Sequence, residues 1–298
     1  MKFSIIITTL NEVDTIDEFI RRIDSAFAQI DDDYELIFID DCSTDGSQDK
    51  IINHSIANPK IKLIEMSRRF GRHNCYHAGF KFASGDAAII MDSDLQDPPE
   101  LIPELIAFFK QENADVVHTI MQKREKESVF KLFLTSISYK ILNHICYIKM
   151  PANAGQFKVI SKSVIEELEK MGEHDTYYKG LINWVGFNQV EYPFIRQGRS
   201  AGATKFSLWG MRPYSDLIKA ITSFSYLPLY LPLIATLLSS ILLIMSFISN
   251  DELFIIRLIV FFLFFILMIL AFISLYLVQV HASTRARPLY IIKRKFGF

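Results

Sequence analysis

The sequence predicts an α/β domain on a mainly parallel sheet, followed by a hairpin of two membrane-spanning helices. Short apolar runs alternate with helix-like segments through the first 121 residues, carboxylates cluster where those runs end, and charge vanishes from two long stretches late in the chain. Strands alternating with amphipathic helices are the signature of βαβ units, whose crossovers make neighbouring strands parallel.

Phe3 to Thr9, Leu36 to Ile39, Ile61 to Met66, Ala87 to Met91 and Val116 to Met121 read as strands. The first helix starts near Thr15, which has capping-box spacing to Glu18, and carries Ile16, Phe19, Ile20 and Ile23 on one face. Pro98 and Pro99 announce a later helix that packs Leu101, Leu105 and Phe108. Val129 to Ile148 is strongly apolar, broken by Lys131 and Lys140. It reads as an interfacial helix at about 128–148, with a core helix as the alternative. Leu208 to Phe224 leads into the first apolar span, giving a juxtamembrane helix at 211–226.

No charged side chain lies between Ala220 and Asn250, nor in the 23 residues from Leu258 to Val280. At ~1.5 Å per helical residue, the second run matches a hydrocarbon core of ~30 Å. Spans are therefore expected at about 227–249 and 257–280, joined by the short Asp251 to Arg257 stretch. Lys205, Arg212 and Lys219 precede them, and Arg285, Arg287, Lys293, Arg294 and Lys295 follow. This positive excess predicts a multi-pass protein of the inner (cytoplasmic) membrane with both termini cytoplasmic: a catalytic domain at 1–210, spans within 227–280 and a basic tail at 281–298. The apolar Phe3 to Leu10 run has no small-residue cleavage site after it and reads as a buried strand, not a signal peptide.

A net charge of -1, with no basic stripe interleaved with aromatics, argues against nucleic acid as a partner. Cys42, Cys75 and Cys146 are odd in number and widely spaced, as expected of buried thiols in a reducing compartment. No Gly-X-Gly-X-X-Gly follows the first strand and no Walker A loop occurs, so a dinucleotide fold and a P-loop are both unsupported.

Ligands of parallel sheets sit beyond the carboxyl ends of the strands. Here those ends run into Thr8 to Glu12, Asp40 to Ser47 and Asp92 to Asp97, which collects carboxylates on one rim. Without a glycine loop to cradle phosphates, a diphosphate can be held through a hard divalent cation, which carboxylates bind. Asp92 and Asp94, one residue apart at a strand end, point to the same side, and Gln96 continues that spacing. Aspartates of a turn or helix cap are the alternative. His73 and His77 lie four apart, but no zincin Glu accompanies them.

TTLNE at 8–12, DDCSTDGS at 40–47, SRRFGRHNCYHAGF at 67–80, DSDLQDPPE at 92–100 and GRSAGATKFS at 198–207, ahead of two apolar spans, together resemble the polyisoprenyl-phosphate glycosyltransferases. These are relatives of dolichol-phosphate mannose synthase in glycosyltransferase family 2, here of the bacterial two-span type. YLVQVHASTRARPLY at 276–290 is similar to their tail. The resemblance implies a GT-A (nucleotide-diphospho-sugar transferase) domain, Mg2+ or Mn2+, a nucleotide-sugar donor, and inverting transfer to polyprenyl phosphate in a lipid membrane. It also implies a lipid-linked monosaccharide as product and a homo-oligomer.

Carried over by position, it implies that Thr9, Asn11, Glu12, Asp40 and Asp41 hold the nucleoside, Asp40 being favoured over Asp41. Asp92, Asp94 and Gln96 would hold the metal, with Asp92 and Asp94 the catalytic pair, and Arg124, Arg199 and Lys205 would meet the acceptor phosphate. Arg196 reads equally as a positive-inside flank, and Arg68, Arg69 and Arg72 as phosphate ligands or as a solvated loop. An acceptor phosphate is already anionic and needs no strong base. Gln156 stands where many relatives carry an acid, which puts a base-dependent mechanism in doubt. Gly180 to Trp184 lacks the Gln-X-X-Arg-Trp signature of processive synthases. The rivals are transfer to a lipid or glycan hydroxyl, with Glu173 or Asp175 as base, and an inactive sugar-lipid-binding scaffold.

Overall fold

The computed structural model describes residues 1–123, 129–173, 177–195, 211–249, 252–285 and 287–298. Its centre is β1 (Lys2–Thr9), whose residues Phe3 to Ile7 are all buried. Burial on both faces is what a central parallel strand requires, and it explains a run that is apolar but for Ser4, whose hydroxyl donates to Glu35, where an exposed face would alternate. β2 (Asp33–Asp40), β3 (Ile61–Met66), β4 (Ala87–Asp92), β5 (Val116–Lys123), β6 (Ala154–Ser161), β7 (Gln189–Ile195) and β8 (Ile292–Phe296) complete the sheet. The strand order is β7-β5-β6-β4-β1-β2-β3-β8. β1 pairs in parallel with β2 and β4, β2 with β3, and β5 with β7. β6 runs antiparallel to β4 and β5, and β8 antiparallel to β3.

The helices are α1 (Ile16–Phe27), α2 (Ser47–Ala57), α3 (Arg72–Phe82), α4 (Ile102–Gln111), α5 (Val129–Ile145), α6 (Lys162–Lys170), α7 (Tyr178–Trp184), α8 (Met211–Phe224), α9 (Leu227–Ser249) and α10 (Glu252–Thr284). α1, α2 and α4 cover one face of the sheet around Phe19, Phe38, Ile51 and Leu105. α3, α6, α7 and α8 cover the other around Ile6, Ile39, Tyr76, Tyr178 and Phe224. Gly79 lets α3 lie close on the sheet, because a Cβ there would fall on the Ile6 side chain and 3.1 Å from Ile39 Cδ1.

The first five strands lie where the apolar runs predict them, each at most three residues longer at either end. Three expectations change. Thr15 precedes α1, but its hydroxyl makes no cap; it donates to the carbonyls of Glu12 at 3.0 Å and Ser93 at 2.9 Å, tying two rim loops together. β6 and β7 were hidden because Lys158, Glu191 and Pro193 interrupt their apolar content; β7 tolerates Pro193 as an edge strand. The predicted basic tail at 281–298 is not wholly a tail, since Ile292–Phe296 joins the sheet as β8.

Of the two predicted spans, one helix among the described residues, Phe254–Thr284, is long and apolar enough to cross a membrane, and only 6% of its most apolar window is buried. α9 lies against it and exposes Leu237, Ile241 and Ile244. A second crossing therefore rests on α9 alone. At the other end of α10, Tyr276 Oη donates to the Ser225 carbonyl at 2.7 Å and Gln279 Nε2 to Ser223 Oγ at 2.8 Å, which ties this helix to the end of α8.

Replacing Gly79 with Val should cost about 1–3 kcal/mol by overpacking the α3–sheet contact. Urea denaturation of the full chain in detergent checks this, with the midpoint expected to fall.

Candidate active site at the carboxyl edge of the sheet

In the ladder, Thr9 stands opposite Asp40 and Thr8 opposite Asp92, so β2, β1 and β4 deliver their polar ends side by side. Strand alternation reaches only Asp92; Asp94 follows in a turn that needs Leu95 at φ 57°, and its Oδ1 accepts from the Gln96 N–H at 3.2 Å. The sequence argument that alternation aligns Asp92 with Asp94 is thus corrected. The turn, not the pleat, presents Asp94, and Gln96 contributes its backbone to that turn.

Asp92 is held from three sides. Thr8 Oγ1 donates to its Oδ1 at 3.1 Å, Tyr76 Oη to the same oxygen at 3.4 Å, and Arg72 Nη1 lies 3.0 Å from Oδ2. Arg72 and Tyr76 are four residues apart on α3 and so share a helix face. Sequence reading left Arg72 undecided between ligand and solvated loop; the structure puts it on the rim. It passed over Tyr76, which the i, i+4 spacing to Arg72 would have flagged. Arg68 instead stacks over the Phe70 ring, 4.0 Å from its centroid.

The neighbouring carboxylates divide their work. Both Asp41 oxygens accept backbone N–H bonds, from Phe70 at 2.6 Å and Gly71 at 2.9 Å. Asp41, expected at the nucleoside, therefore fixes the entry to α3 and with it Arg72. Asp40 Oδ2 accepts from the Ser43 N–H and from Gln48 Nε2, each at 2.9 Å. Asp40 Oδ1 and Thr9 Oγ1 are buried with no hydrogen-bond partner among the described residues. Burial raises the Asp40 carboxyl above its ordinary range; bonds from Ser43 and Gln48 pull it back, and the nearby Glu65 charge pushes it up again. Buried polar atoms without partners are costly, which sets these two apart from the satisfied oxygens around them.

Asn11 adopts φ 53° and staples the first two rim loops, its N–H donating to Ser43 Oγ at 2.9 Å and its Oδ1 accepting from the Thr44 N–H at 2.8 Å. The Glu12 N–H donates to Ser47 Oγ at 3.2 Å. Arg124, Arg199, Lys205, Arg196 and Asp175 lie outside the described residues. Among the described residues no three His, Cys, Asp or Glu side chains converge as a metal cage. The rim offers instead Asp92 at the end of β4 and Asp94 in the turn after it, a pair that would suit a cation of the Mg2+ type, held by one or two carboxylates and completed by substrate phosphates.

Behind the rim lies a layer of neutral polar side chains. His73 and His77 flank Tyr178, with ring centroids 5.3 and 5.5 Å away. Farther back, the fully buried Lys158 amine sits 3.0 Å from His118 Nδ1, and His118 Nε2 lies 2.8 Å from Gln189 Oε1. Burial lowers His73 and His77 to about 4 and His118 to about 3, the last helped by the Lys158 charge.

A mixed, mainly parallel sheet with an acidic carboxyl edge, helices on both faces and no glycine-rich phosphate loop defines a transferase of the GT-A fold. The chain belongs to glycosyl transferase family 2, whose model matches residues 4–169. The uncharacterized glycosyltransferase YkcC of Bacillus subtilis is 34% identical over 311 positions, covering 100% of this chain and 95% of its own length. The prophage bactoprenol glucosyl transferase homolog of Escherichia coli K12 is 33% identical over 229 positions, covering 77% of this chain and 74% of its own. Among solved structures, a mannosyl-3-phosphoglycerate synthase from Rubrobacter xylanophilus matches with a TM-score of 0.52 at 15% identity, over 75% of this chain and 73% of that one. A Pyrobaculum calidifontis mannosyltransferase in complex with GDP-mannose and Mn2+ matches with a TM-score of 0.51 at 17% identity, over 74% and 63%. At these identities the structural likeness shows the fold.

The three depressed histidines make the protein acid-sensitive. Each stays neutral when folded but takes a proton when unfolded below its ordinary value near 6.5, so stability is complete above that pH and is lost as pH falls. Between pH 6 and 5, His77→Phe should remove about 1.4 kcal/mol per pH unit from the slope of unfolding free energy against pH. Denaturant titrations across that range measure it.

Proposed function

We propose that this glycosyltransferase moves a sugar from a nucleotide-sugar donor to polyprenyl phosphate at the cytoplasmic membrane face, inverting the anomeric centre and releasing the nucleoside diphosphate. The observation that carries the donor half is the pair of buried, unpartnered oxygens Asp40 Oδ1 and Thr9 Oγ1 near Asp92 at the end of β4 and Asp94 in the turn after it. In this reading Asp40 accepts an N–H or hydroxyl of the nucleoside, with Thr9 as its neighbour, while Asn11 and Glu12 shape the loop over it. Asp92 and Asp94 hold Mg2+ or Mn2+, which when bound supplies positive charge to the departing diphosphate. Gln96 steadies Asp94 through its backbone. Arg72 orients Asp92 and offers a second positive charge at the same edge.

The acceptor half is supported by the bactoprenol glucosyl transferase names carried by relatives about one-third identical to this chain. A lipid phosphate arriving at the membrane surface would meet Arg124, Arg199 and Lys205, and its own oxygen would attack without a protein base. Gln156, where a base would need an acid, is in keeping with that. We read α9 and α10 as a transmembrane hairpin that keeps the rim beside the bilayer, because both are long, apolar and outwardly exposed.

The test supplies purified full-length protein with Mn2+ and a panel of nucleotide sugars, offers undecaprenyl phosphate or undecaprenol, and weighs the lipid product. Glycosylated undecaprenyl phosphate is expected and undecaprenol should remain unmodified; equal use of the alcohol would overturn the acceptor assignment. Asp94→Ala should lower turnover by on the order of 10³-fold, and near-wild-type turnover would remove Asp94 from the mechanism.

A further inference from the structure

We infer that β8 is a charge-compensating strap for the nucleoside pocket: Lys293 and Arg294 neutralise the buried Glu65, so that Asp40 beside it keeps its negative charge and its free acceptor oxygen. The inference rests on reading Asp40 as a ligand of the donor nucleoside, and adds Glu65, Lys293 and Arg294 as positioning residues that act through it.

Asp40 and Glu65 are direct partners in the β2–β3 ladder, so their side chains leave the same face of the sheet from strands ~4.8 Å apart. Both are buried, at 0% and 4% exposure. Two carboxylates so placed cannot both stay ionised cheaply unless counter-charge is at hand. The hydrogen-bond donors to Asp40 are neutral, the Ser43 N–H and the Gln48 amide. The counter-charge sits on Glu65, whose Oε1 lies 2.7 Å from Lys293 Nζ and whose Oε2 accepts from Arg294 Nε. Burial alone would push the Glu65 carboxyl up; the bonds from Lys293 and Arg294 outweigh it and hold it below its ordinary value.

Those cations belong to a segment reached only after the apolar helix α10, which ends at Thr284. β8 is docked by more than charge. Its ladder to β3 pairs Leu63 with Phe296 and Glu65 with Arg294, and the Ser67 N–H donates to the Ile291 carbonyl at 2.9 Å. Beyond it, Gly297 at φ 78° leaves no room for a Cβ, which would fall 2.7 Å from Ser55 Oγ and 2.8 Å from the Ile61 carbonyl, and the Phe298 ring meets Phe82 edge-on at 5.4 Å. The chain on the far side of the apolar helix thus returns to the sheet and delivers two charges one strand away from Asp40. Seating of this strap and affinity for the donor are coupled.

The test titrates UDP and GDP, each with Mn2+, into full-length protein in nanodiscs. The double variant K293M/R294M should bind the preferred nucleotide roughly tenfold more weakly, which is ~1.4 kcal/mol of binding free energy. Adding Glu65→Gln to the double variant should restore wild-type affinity, since no charge then remains to repel Asp40. A merely mechanical role for β8 gives no such rescue. Glu65→Gln alone should bind at least as tightly as wild type, and it reports on the same coupling should the double variant fail to fold. Unchanged affinity in a folded double variant, failure of Glu65→Gln to rescue it, or weakened binding by Glu65→Gln alone would each overturn the inference. Asp40→Asn separates the two levels: if that substitution leaves nucleotide affinity intact, the nucleoside assignment itself falls.

Discussion

The Arg72–Asp92 ion pair joins the start of α3 to the end of β4, and the geometry of the acidic edge depends on it. Three adjacent parallel strands end in oxygen-bearing side chains, and that much negative charge in a partly buried edge repels itself unless donors are built around it. The chain supplies them from α3. Asp41 grips the Phe70 and Gly71 N–H groups, Gly79 lets the helix lie close on the sheet, and Arg72 and Tyr76 then reach Asp92 together. One helix, fixed at its entry and pressed flat along its length, thereby sets the position of a carboxylate on another strand.

Much of this was legible in the sequence. Mostly apolar runs such as Phe3 to Ile7, interrupted only by Ser4, predicted central strands because burial on both faces leaves little room for alternation, and the rim residues followed from strand ends. The resemblance favours Asp40 over Asp41 at the nucleoside, but the physical reason, that Asp41 holds the start of α3, was not legible. Adjacent aspartates at a strand end look alike in one dimension, and only the path of the 70–71 backbone shows that one is occupied and the other open. Lys158 had the same effect on a larger scale. A lysine in mid-strand argues against a buried strand, yet here it is hidden against His118, and the antiparallel β6 it belongs to escaped detection. The basic run at 292–296 reads as a membrane flank by charge, and its pairing with β3 sets Lys293 against Glu65, 228 residues earlier.

Fold and family together give the reaction class, and the edge gives its chemistry a direction. Asp40 on β2 lies on one side of β1, with Thr9 at the end of β1 itself, and Asp92 and Asp94 lie on the β4 side. A nucleotide sugar laid across the end of β1 would put its nucleoside on the first and its diphosphate on the second. The apolar helices then have a simple physical role. In the proposed reading they would hold this edge near a surface where a lipid phosphate arrives already ionised, so that transfer would need positive charge more than a base.

The central claim is that the diphosphate is held through a cation on Asp92 and Asp94, and calorimetric titration of nucleoside diphosphate before and after exhaustive chelation tests it most directly. Binding should weaken by at least ~tenfold without metal, recover on adding Mn2+, and show no metal dependence in Asp92→Asn/Asp94→Asn. Undiminished affinity in the chelated wild-type protein would contradict the account.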